Sequence, residues 1–220
     1  MKPEAVIFDI DGLLIDSEPL WNEAAAEVLQ GYGVNLTQEQ YHTTTGLRTK
    51  EFVQWWFAFF KISAGEHARA EEKIVQLVLE KIAAKAAVMP GVHHIFDFFV
   101  SRNFRVGLAT SSPPALIELV LEMTGIRSFV HTASSAEGLP FGKPHPQVYL
   151  NCAEGLGIKP VQCICFEDSF NGMIAAKAAR MKCVVVPHST QIREERWGAA
   201  DLKLTSLQNF GELHLERLSG

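Results

Sequence analysis

The sequence predicts an α/β protein in which a doubly wound parallel sheet carries an inserted all-helical domain. Short apolar runs alternate with longer segments of helical periodicity along most of the chain. Most of these runs lack a polar–apolar alternation, which is typical of strands covered by helices on both faces. The stretch from residue 16 to 86 interrupts the pattern, because it contains no convincing strand.

Six runs are expected to form strands, the last of them at an edge of the sheet. They are AVIFDI (5–10), FRVGLAT (104–110), FVHTAS (129–134), QCICFED (162–168), KCVVVP (182–187) and DLKL (201–204). Helical patterns fill the gaps between them, and the alanine-rich segment 170–181 is strongly helical.

The helical stretch predicts a cap domain over residues 16–86, inserted into an α/β core made of residues 1–15 and 87–220. Pro19 suits a first helical turn, and further helices are expected at FVQWWFAFF (52–60) and from about 66 to 86. The aromatic residues of the middle helix are expected in the cap core; they are Trp55, Trp56, Phe57, Phe59 and Phe60. Pro90 and Gly91 suit a hinge where the chain returns to the core.

Composition and charge exclude several classes of protein. With 47% hydrophobic and 20% charged residues the chain is globular, and a net charge of -5 gives no general attraction to nucleic acid or anionic membranes. No apolar stretch reaches the roughly 18 residues of a membrane span, and no signal peptide is evident. The C-x-C of Cys163 and Cys165 is expected to be two buried thiols on one strand face. We therefore expect a cytoplasmic protein.

Several polar residues lie at the carboxyl ends of the predicted strands or in the loops that follow them. They are Asp9, Asp11, Thr110, Ser111, Ser112, Lys143, Glu167 and Asp168. Because ligands of open α/β sheets bind beyond the carboxyl ends of the strands, these groups are expected to face one site. Taken singly, each also fits a turn or a helix cap. Four converging carboxylates require a divalent cation, and hard oxygen ligands beside a hydroxyl and a lysine favour Mg²⁺ and phosphoryl chemistry.

Four motifs in order resemble those of the haloacid dehalogenase superfamily. They are FDIDGLLIDSEPLW, VGLATSS, FGKPHPQVYL and CFEDSFNGM. The helical insertion resembles the small helical cap of that superfamily's β-phosphoglucomutase-like branch, and the motifs are especially similar to bacterial hexitol and 2-deoxyglucose-6-phosphate phosphatases. The resemblance implies a Rossmann-like core and a Mg²⁺-dependent phosphatase acting on small phosphorylated sugars or sugar alcohols.

The resemblance also implies a role for each motif residue. Asp9 would be the nucleophile that forms an aspartyl-phosphate, and Asp11 the general acid and base. The implied metal ligands are Asp9, Asp11 through its backbone carbonyl, Glu167 directly or through water, and Asp168. The implied phosphate-binding groups are Thr110, Ser111 and Lys143.

The cap is expected to select the substrate through the loop Thr43–Arg48, which resembles the family's specificity loop. Gly46, Arg48 and Lys50 are the candidate substrate-binding residues, although both cations also fit a solvated surface. Glu18 and Trp21 are candidates for the pocket wall, with the cap core an equal possibility for Trp21. His145 is expected at a helix start.

Three other enzyme activities and one signalling role are alternatives to the phosphatase. A phosphosugar mutase shares the nucleophile, metal and cap, but it is expected to have a histidine near Trp21. Dehalogenase chemistry does not need Asp11, and a phosphonate hydrolase needs a desolvated cap lysine. A signalling receiver domain carries its phosphorylated aspartate on the third strand and has no cap. A monomer acting on a small phosphomonoester is therefore expected.

Overall fold

The computed structural model describes residues 2–220, and its elements alternate as the sequence predicts outside the helical insertion. The strands are β1 (Ala5–Phe8), β2 (Arg105–Thr110), β3 (Thr132–Ser135), β4 (Cys163–Glu167), β5 (Lys182–Val185) and β6 (Leu202–Lys203). The helices are α1 (Glu18–Gln30), α2 (Gln38–Thr44), α3 (Thr49–Phe59), α4 (His67–Lys85), α5 (Val92–Val100), α6 (Pro114–Thr124), α7 (Gln147–Leu156), α8 (Phe170–Ala178) and α9 (Glu212–Ser219).

The strands form one parallel sheet in the order β3-β2-β1-β4-β5-β6. Alternate side chains of β1 serve two separate cores, because successive residues of a strand point to opposite faces. Val6 and Phe8 pack with α5, α6 and α9, whereas Ala5 and Ile7 pack with α7 and α8. The strands are thus covered on both faces, as their unbroken apolar runs indicate.

All six expected strands are present, with shorter bounds. The third begins later than expected, because residues Arg127–Phe129 turn in a 3₁₀ helix before β3. Cys163 and Cys165 lie as free, buried thiols on the face of β4 that packs against α7 and α8, which confirms that expectation.

The helices α1 to α4, called the cap here, occupy the predicted insertion and share a hydrophobic cluster. Sequence reasoning missed α2. Its signal is a capping box: the Thr37 hydroxyl accepts from the Gln40 N–H at 3.3 Å, and the Gln40 side chain accepts from the Thr37 N–H at 2.8 Å. A threonine followed three residues later by glutamine is readable in the sequence.

The two connections between the cap and the sheet run side by side. The N–H of Asp16 donates to the Ala87 carbonyl at 2.9 Å, and the N–H of Met89 donates to the Leu14 carbonyl at 2.9 Å. These bonds lie at the predicted division between residues 16–86 and the rest, which stays a prediction. Within residues 2–220, every helix is too short or too polar to cross a bilayer.

Candidate active site

Register in the sheet places the polar strand ends at one level. Phe8 of β1 pairs with Leu108 of β2 and with Phe166 of β4. Asp9 directly follows β1, and Glu167 is the last residue of β4. The Asp9 N–H donates to the Phe166 carbonyl at 3.0 Å. The carboxyl ends of the central strands therefore bring together the acidic residues that the sequence singles out.

Lys143 is buried between these acidic groups. Its Nζ donates to Oδ1 of Asp9 and to Oε1 of Glu167, each at 2.6 Å, and to the Ala109 carbonyl at 3.1 Å. Burial alone would lower the pKa of Lys143, but the charges of Asp9 and Glu167 and their hydrogen bonds raise it above its usual value. The ammonium is therefore a permanent positive charge beside Asp9.

Glu167 is fully buried, and both of its carboxylate oxygens accept hydrogen bonds. Oε1 accepts from Lys143 and from the Tyr149 hydroxyl. Oε2 accepts from the N–H groups of Asp168 and Ser169 at 3.1 Å and from the Ser169 hydroxyl at 3.0 Å. Glu167 thus ties together β4, Lys143 and α7. Tyr149 was missed at the sequence level, because its apolar neighbours indicate only a core position on α7.

The carboxylates form a cluster that fits a hard cation. Oxygens of Asp9, Glu167 and Asp168 lie within 4.8 Å of one another. Burial raises the pKa of Asp168 well above its usual value, and the negative charges of Glu18, Glu167 and Asp9 raise it further. The positive charge of Lys143 lowers this pKa, but by less. Oxygen-only donors with excess negative charge suit Mg²⁺. Asp9 and Asp168 are the residues best placed to hold it, since the donors described above already surround Glu167.

Asp11 is held by three donors on different segments. Oδ1 accepts from the Ser17 hydroxyl and from the Trp21 indole N–H, each at 2.7 Å, and Oδ2 accepts from the Ser112 hydroxyl at 2.6 Å. Trp21 belongs to α1 of the cap, and Ser112 follows β2. The orientation of this carboxylate therefore depends on both the cap and the core.

Thr110 and Ser111 close the second strand as expected. Thr110 is buried, and its hydroxyl accepts from the Ser112 N–H at 3.0 Å. The Ser111 hydroxyl donates to the Gly46 carbonyl at 2.7 Å, and the Asn171 amide donates to the Thr45 carbonyl at 2.8 Å. The loop Thr43–Arg48 thus lies directly on the residue that follows β2 and on the first turn of α8.

A cavity of about 110 Å³ lies between the cap and the strand ends. Its floor is polar, and its cap side combines apolar and neutral polar groups with the Glu18 carboxylate. It is lined by Asp9, Asp11, Glu18, Trp21, Asn22, Ala25, Tyr41, Thr44, Thr45, Gly46, Leu47, Thr49, Phe52, Ile74, Thr110, Ser111, Ser112, Lys143 and Asp168. Glu18 and Trp21 are therefore pocket residues, and Gly46 is the one candidate of the specificity loop whose position agrees with direct substrate contact.

Arg48 and Lys50 do not line this cavity, contrary to the expectation that they bind the substrate. The Arg48 side chain is buried against Glu51 and the carbonyls of Ala136 and Leu139. Lys50 is exposed beside a separate small cleft. Direct substrate binding by Arg48 and Lys50 stays a prediction that their placement outside this cavity does not favour.

The aromatic residues of α3 divide between core and surface. Trp56 and Phe57 are buried as expected, but Trp55 and Phe59 are 60% and 64% exposed, and Phe60 is exposed as well. The expectation of a cap-core position is wrong for these three, because they lie on the outer side of α3 or directly after it. His145 accepts from the Gln147 N–H at 3.3 Å at the start of α7, which confirms its expected place at a helix start.

Comparison with known proteins assigns the chain to a family. A model of haloacid dehalogenase-like hydrolases matches residues 3–180. The chain belongs to this family. Hexitol phosphatase B of Escherichia coli (strain K12) is 41% identical over 204 residues, which cover 92% of each chain. Fructose-1-phosphate phosphatase YqaB of the same strain is 32% identical over 181 residues, 82% of this chain and 95% of its own.

Solved structures confirm the fold of this haloacid dehalogenase-like hydrolase. β-Phosphoglucomutase from Clostridium difficile matches with a TM-score of 0.87 at 24% identity, covering 99% of this chain and 97% of that chain. CbbY from Rhodobacter sphaeroides matches with a TM-score of 0.84 at 25% identity, covering 97% and 99%. The fold class expected from the sequence is confirmed, and the family assignment confirms the resemblance seen in the four motifs.

Proposed function

We propose that this haloacid dehalogenase-like hydrolase is a Mg²⁺-dependent phosphatase that hydrolyses small phosphorylated sugars or sugar alcohols through an aspartyl-phosphate. The names of the hexitol and fructose-1-phosphate phosphatases that it resembles support this reaction and substrate class. The observation that carries the proposal is the distribution of charged side chains along the wall of the cavity. Among its described lining residues, Lys143 at the floor is the one lysine or arginine.

This distribution favours a phosphatase over the mutase alternative. A phosphosugar mutase passes through a bisphosphorylated sugar, whose second phosphate requires a cation at the cap end of the cavity. At that end the wall consists of apolar and neutral polar groups together with the Glu18 carboxylate. Such a wall suits a neutral polyol and repels a second anionic group.

In the first step an oxygen of Asp9 attacks phosphorus, and the bond from phosphorus to the sugar oxygen breaks. Lys143 occupies Oδ1 of Asp9, which leaves Oδ2 for the attack. Asp11, as general acid, gives a proton to the departing sugar oxygen. In the second step the Asp11 carboxylate removes a proton from water, the water oxygen attacks phosphorus, and Asp9 and inorganic phosphate are released.

The other groups bind and neutralise charge. Thr110, Ser111 and Lys143 are proposed to bind the phosphoryl oxygens, and Gly46 to face the sugar. Asp9, Asp168, the Asp11 carbonyl and Glu167, the last directly or through water, are proposed to hold Mg²⁺. A bound Mg²⁺ neutralises negative charge on the carboxylates and on the phosphoryl group. The cavity is built from residues of one chain, so a monomer suffices. Four cysteines that form no disulfide suit the cytoplasm.

The test is phosphate release from matched esters, with Mg²⁺ and with a chelator. Sorbitol-6-phosphate, fructose-1-phosphate and 2-deoxyglucose-6-phosphate are neutral beyond the phosphate, whereas 6-phosphogluconate and fructose-1,6-bisphosphate add a second anionic group. We expect Mg²⁺-dependent release from the neutral esters, at least about tenfold faster than from the doubly anionic ones. Loss of β-glucose-1-phosphate without free phosphate would instead support the mutase.

A further inference from the structure

Arg48 connects the cap to a loop of the core that ends at Lys143. Nη1 donates to the carbonyls of Ala136 at 2.9 Å and of Leu139 at 2.5 Å, and Nη2 approaches the Pro140 carbonyl at 3.5 Å. The side chain is only 6% exposed. A buried guanidinium with this many partners is locked in place, since its planar fork presents several donors at fixed angles.

Glu51, one turn further along α3, also contacts the loop that precedes Lys143. Its carboxylate pairs with the Arg48 guanidinium, accepts from the Arg48 N–H at 3.1 Å, and accepts from the Gly142 N–H at 2.9 Å. Burial alone would raise the pKa of Glu51, but the hydrogen bonds from Arg48 and Gly142 lower it. The pair therefore binds both the carbonyls and an N–H group of loop 136–142.

Gly142 allows this contact because it lacks a side chain. A Cβ at this position would lie 2.6 Å from Oε2 of Glu51 and 2.7 Å from Nε of Arg48. Neither side chain is free to move away, because Nε of Arg48 donates to Oε2 of Glu51, while Nη1 of Arg48 and Oε1 of Glu51 are bonded to the loop. The next residue is Lys143, whose ammonium must lie within hydrogen-bond distance of both Asp9 and Glu167.

We propose that Arg48 and Glu51 are positioning residues that set the place of Lys143 by holding loop 136–142 against the cap. The proposal rests on the proposed phosphatase function, and it assigns to Arg48 a task different from substrate binding. The ammonium of Lys143 reaches its full catalytic position only while the cap lies on this loop. Cap closure and the charge at the phosphoryl site are thereby coupled through backbone hydrogen bonds.

The consequence is a loss in kcat that does not depend on the substrate. Displacement of a catalytic group by about 1 Å can cost about 100-fold in rate. Lys143 acts on the phosphoryl group, which all substrates share. We therefore expect kcat to fall at least about tenfold in each of three variants, Arg48→Met, Glu51→Gln and Gly142→Ala. The loss should be equal for sorbitol-6-phosphate and phenyl phosphate, and KM should stay within about twofold of its unaltered value. Arg48→Lys should lower kcat nearly as much as Arg48→Met, because lysine keeps the positive charge but lacks the planar guanidinium with its several donors.

The matched control is Arg69→Met, which removes an arginine of α4 that is 82% exposed. It should leave both kinetic constants unchanged. The double variant Arg48→Met/Gly142→Ala should lose no more than the worse single variant, since both break one contact. Amide hydrogen exchange should show protection of segment 136–142 falling in Glu51→Gln while the rest of the core stays protected.

Two outcomes would overturn the proposal. A rise in KM for sorbitol-6-phosphate with phenyl phosphate turnover unaffected would return Arg48 to substrate binding. Unchanged exchange of segment 136–142 in a folded Glu51→Gln protein would show that the contact does not hold the loop. If the unaltered protein hydrolyses no ester, the phosphatase function fails, but the exchange experiment still decides whether Arg48 and Glu51 hold the loop.

Discussion

The indole N–H of Trp21 donates to Oδ1 of Asp11 across 2.7 Å, which joins the first cap helix directly to the turn after β1. An indole N–H can only donate, so it orients the carboxylate without competing for its protons. In a phosphosugar mutase, a histidine is expected near the position of Trp21. The tryptophan found here contacts the group proposed as general acid and base, and this contact has a measurable consequence.

Trp21→Phe keeps an aromatic ring and removes the donor. We expect kcat for sorbitol-6-phosphate to fall about tenfold, because a misoriented acid transfers its proton less effectively to a poor leaving group. Turnover of p-nitrophenyl phosphate, whose leaving group needs no proton, should fall less. Trp55→Phe is the control, since Trp55 is exposed and outside the cavity. Equal losses on both esters would contradict an orienting role.

Asp9→Asn should abolish turnover, because an amide cannot serve as the nucleophile. Phosphate release should fall below about 1% of the unaltered rate with every ester. Asp97→Asn makes the same exchange at an exposed position on α5 and should leave activity intact. Substantial release by Asp9→Asn would remove the proposed role of this residue.

Gly172→Ala should destabilise the protein, although alanine is the better helix former by about 1 kcal/mol. A Cβ at this position of α8 would overlap the Glu167 carboxylate, which is held by five donors. Moving Glu167 or the helix costs about 3 kcal/mol, so the steric effect prevails. Denaturant unfolding measures the change. Gly198→Ala, where a Cβ meets no atom within 4 Å, should be neutral.

The acidic cluster should make the metal-free protein less stable as the pH rises. Burial raises the pKa of Asp9, Lys143 lowers it, and Glu167 and Asp11 raise it further, to about 8. An unfolded aspartate titrates near 3.9. Between about pH 4 and 8 the folded state therefore holds a proton that the unfolded state lacks, and the free energy of unfolding falls as pH rises.

Thermal melts in chelator from pH 5.5 to 8.5 test this dependence. The Tm should fall across that range, and Mg²⁺ should raise it most at the alkaline end, because a cation binds the deprotonated carboxylates. Asp9→Asn should flatten the slope, since it removes the titrating group. A Tm in chelator that rises from pH 6 to 8 in the unaltered protein would contradict the prediction.

Sequence reasoning succeeded where local patterns carry the information. Unbroken apolar runs indicate buried parallel strands, and the polar residues that follow Phe8, Ala109 and Phe166 meet because parallel register aligns strand ends. The contacts of the loop Thr43–Arg48 could not be predicted from local patterns. Arg48 reaches Ala136, which lies 88 residues away, through a backbone carbonyl. Every residue offers such a carbonyl, so no residue type marks the partner.

The outer face of α3 shows the same limit. Residues 52–60 are too uniformly apolar for their periodicity to separate Trp56 from Trp55, and tertiary packing decides which ring is buried. Tyr149 was likewise readable only as a core residue, because its hydroxyl meets Glu167 through packing of α7 against the sheet.

The paired connections at Leu14–Asp16 and Ala87–Met89 bear on how this chain can be engineered. Since the chain leaves and re-enters the core through adjacent, hydrogen-bonded segments, the two ends of the insertion are already neighbours. A two- to five-residue turn could close such a gap. The two ends of the helical segment could therefore be joined by such a turn, but a foreign cap would have to replace the contacts that Trp21 makes with Asp11 and that Arg48 makes with loop 136–142.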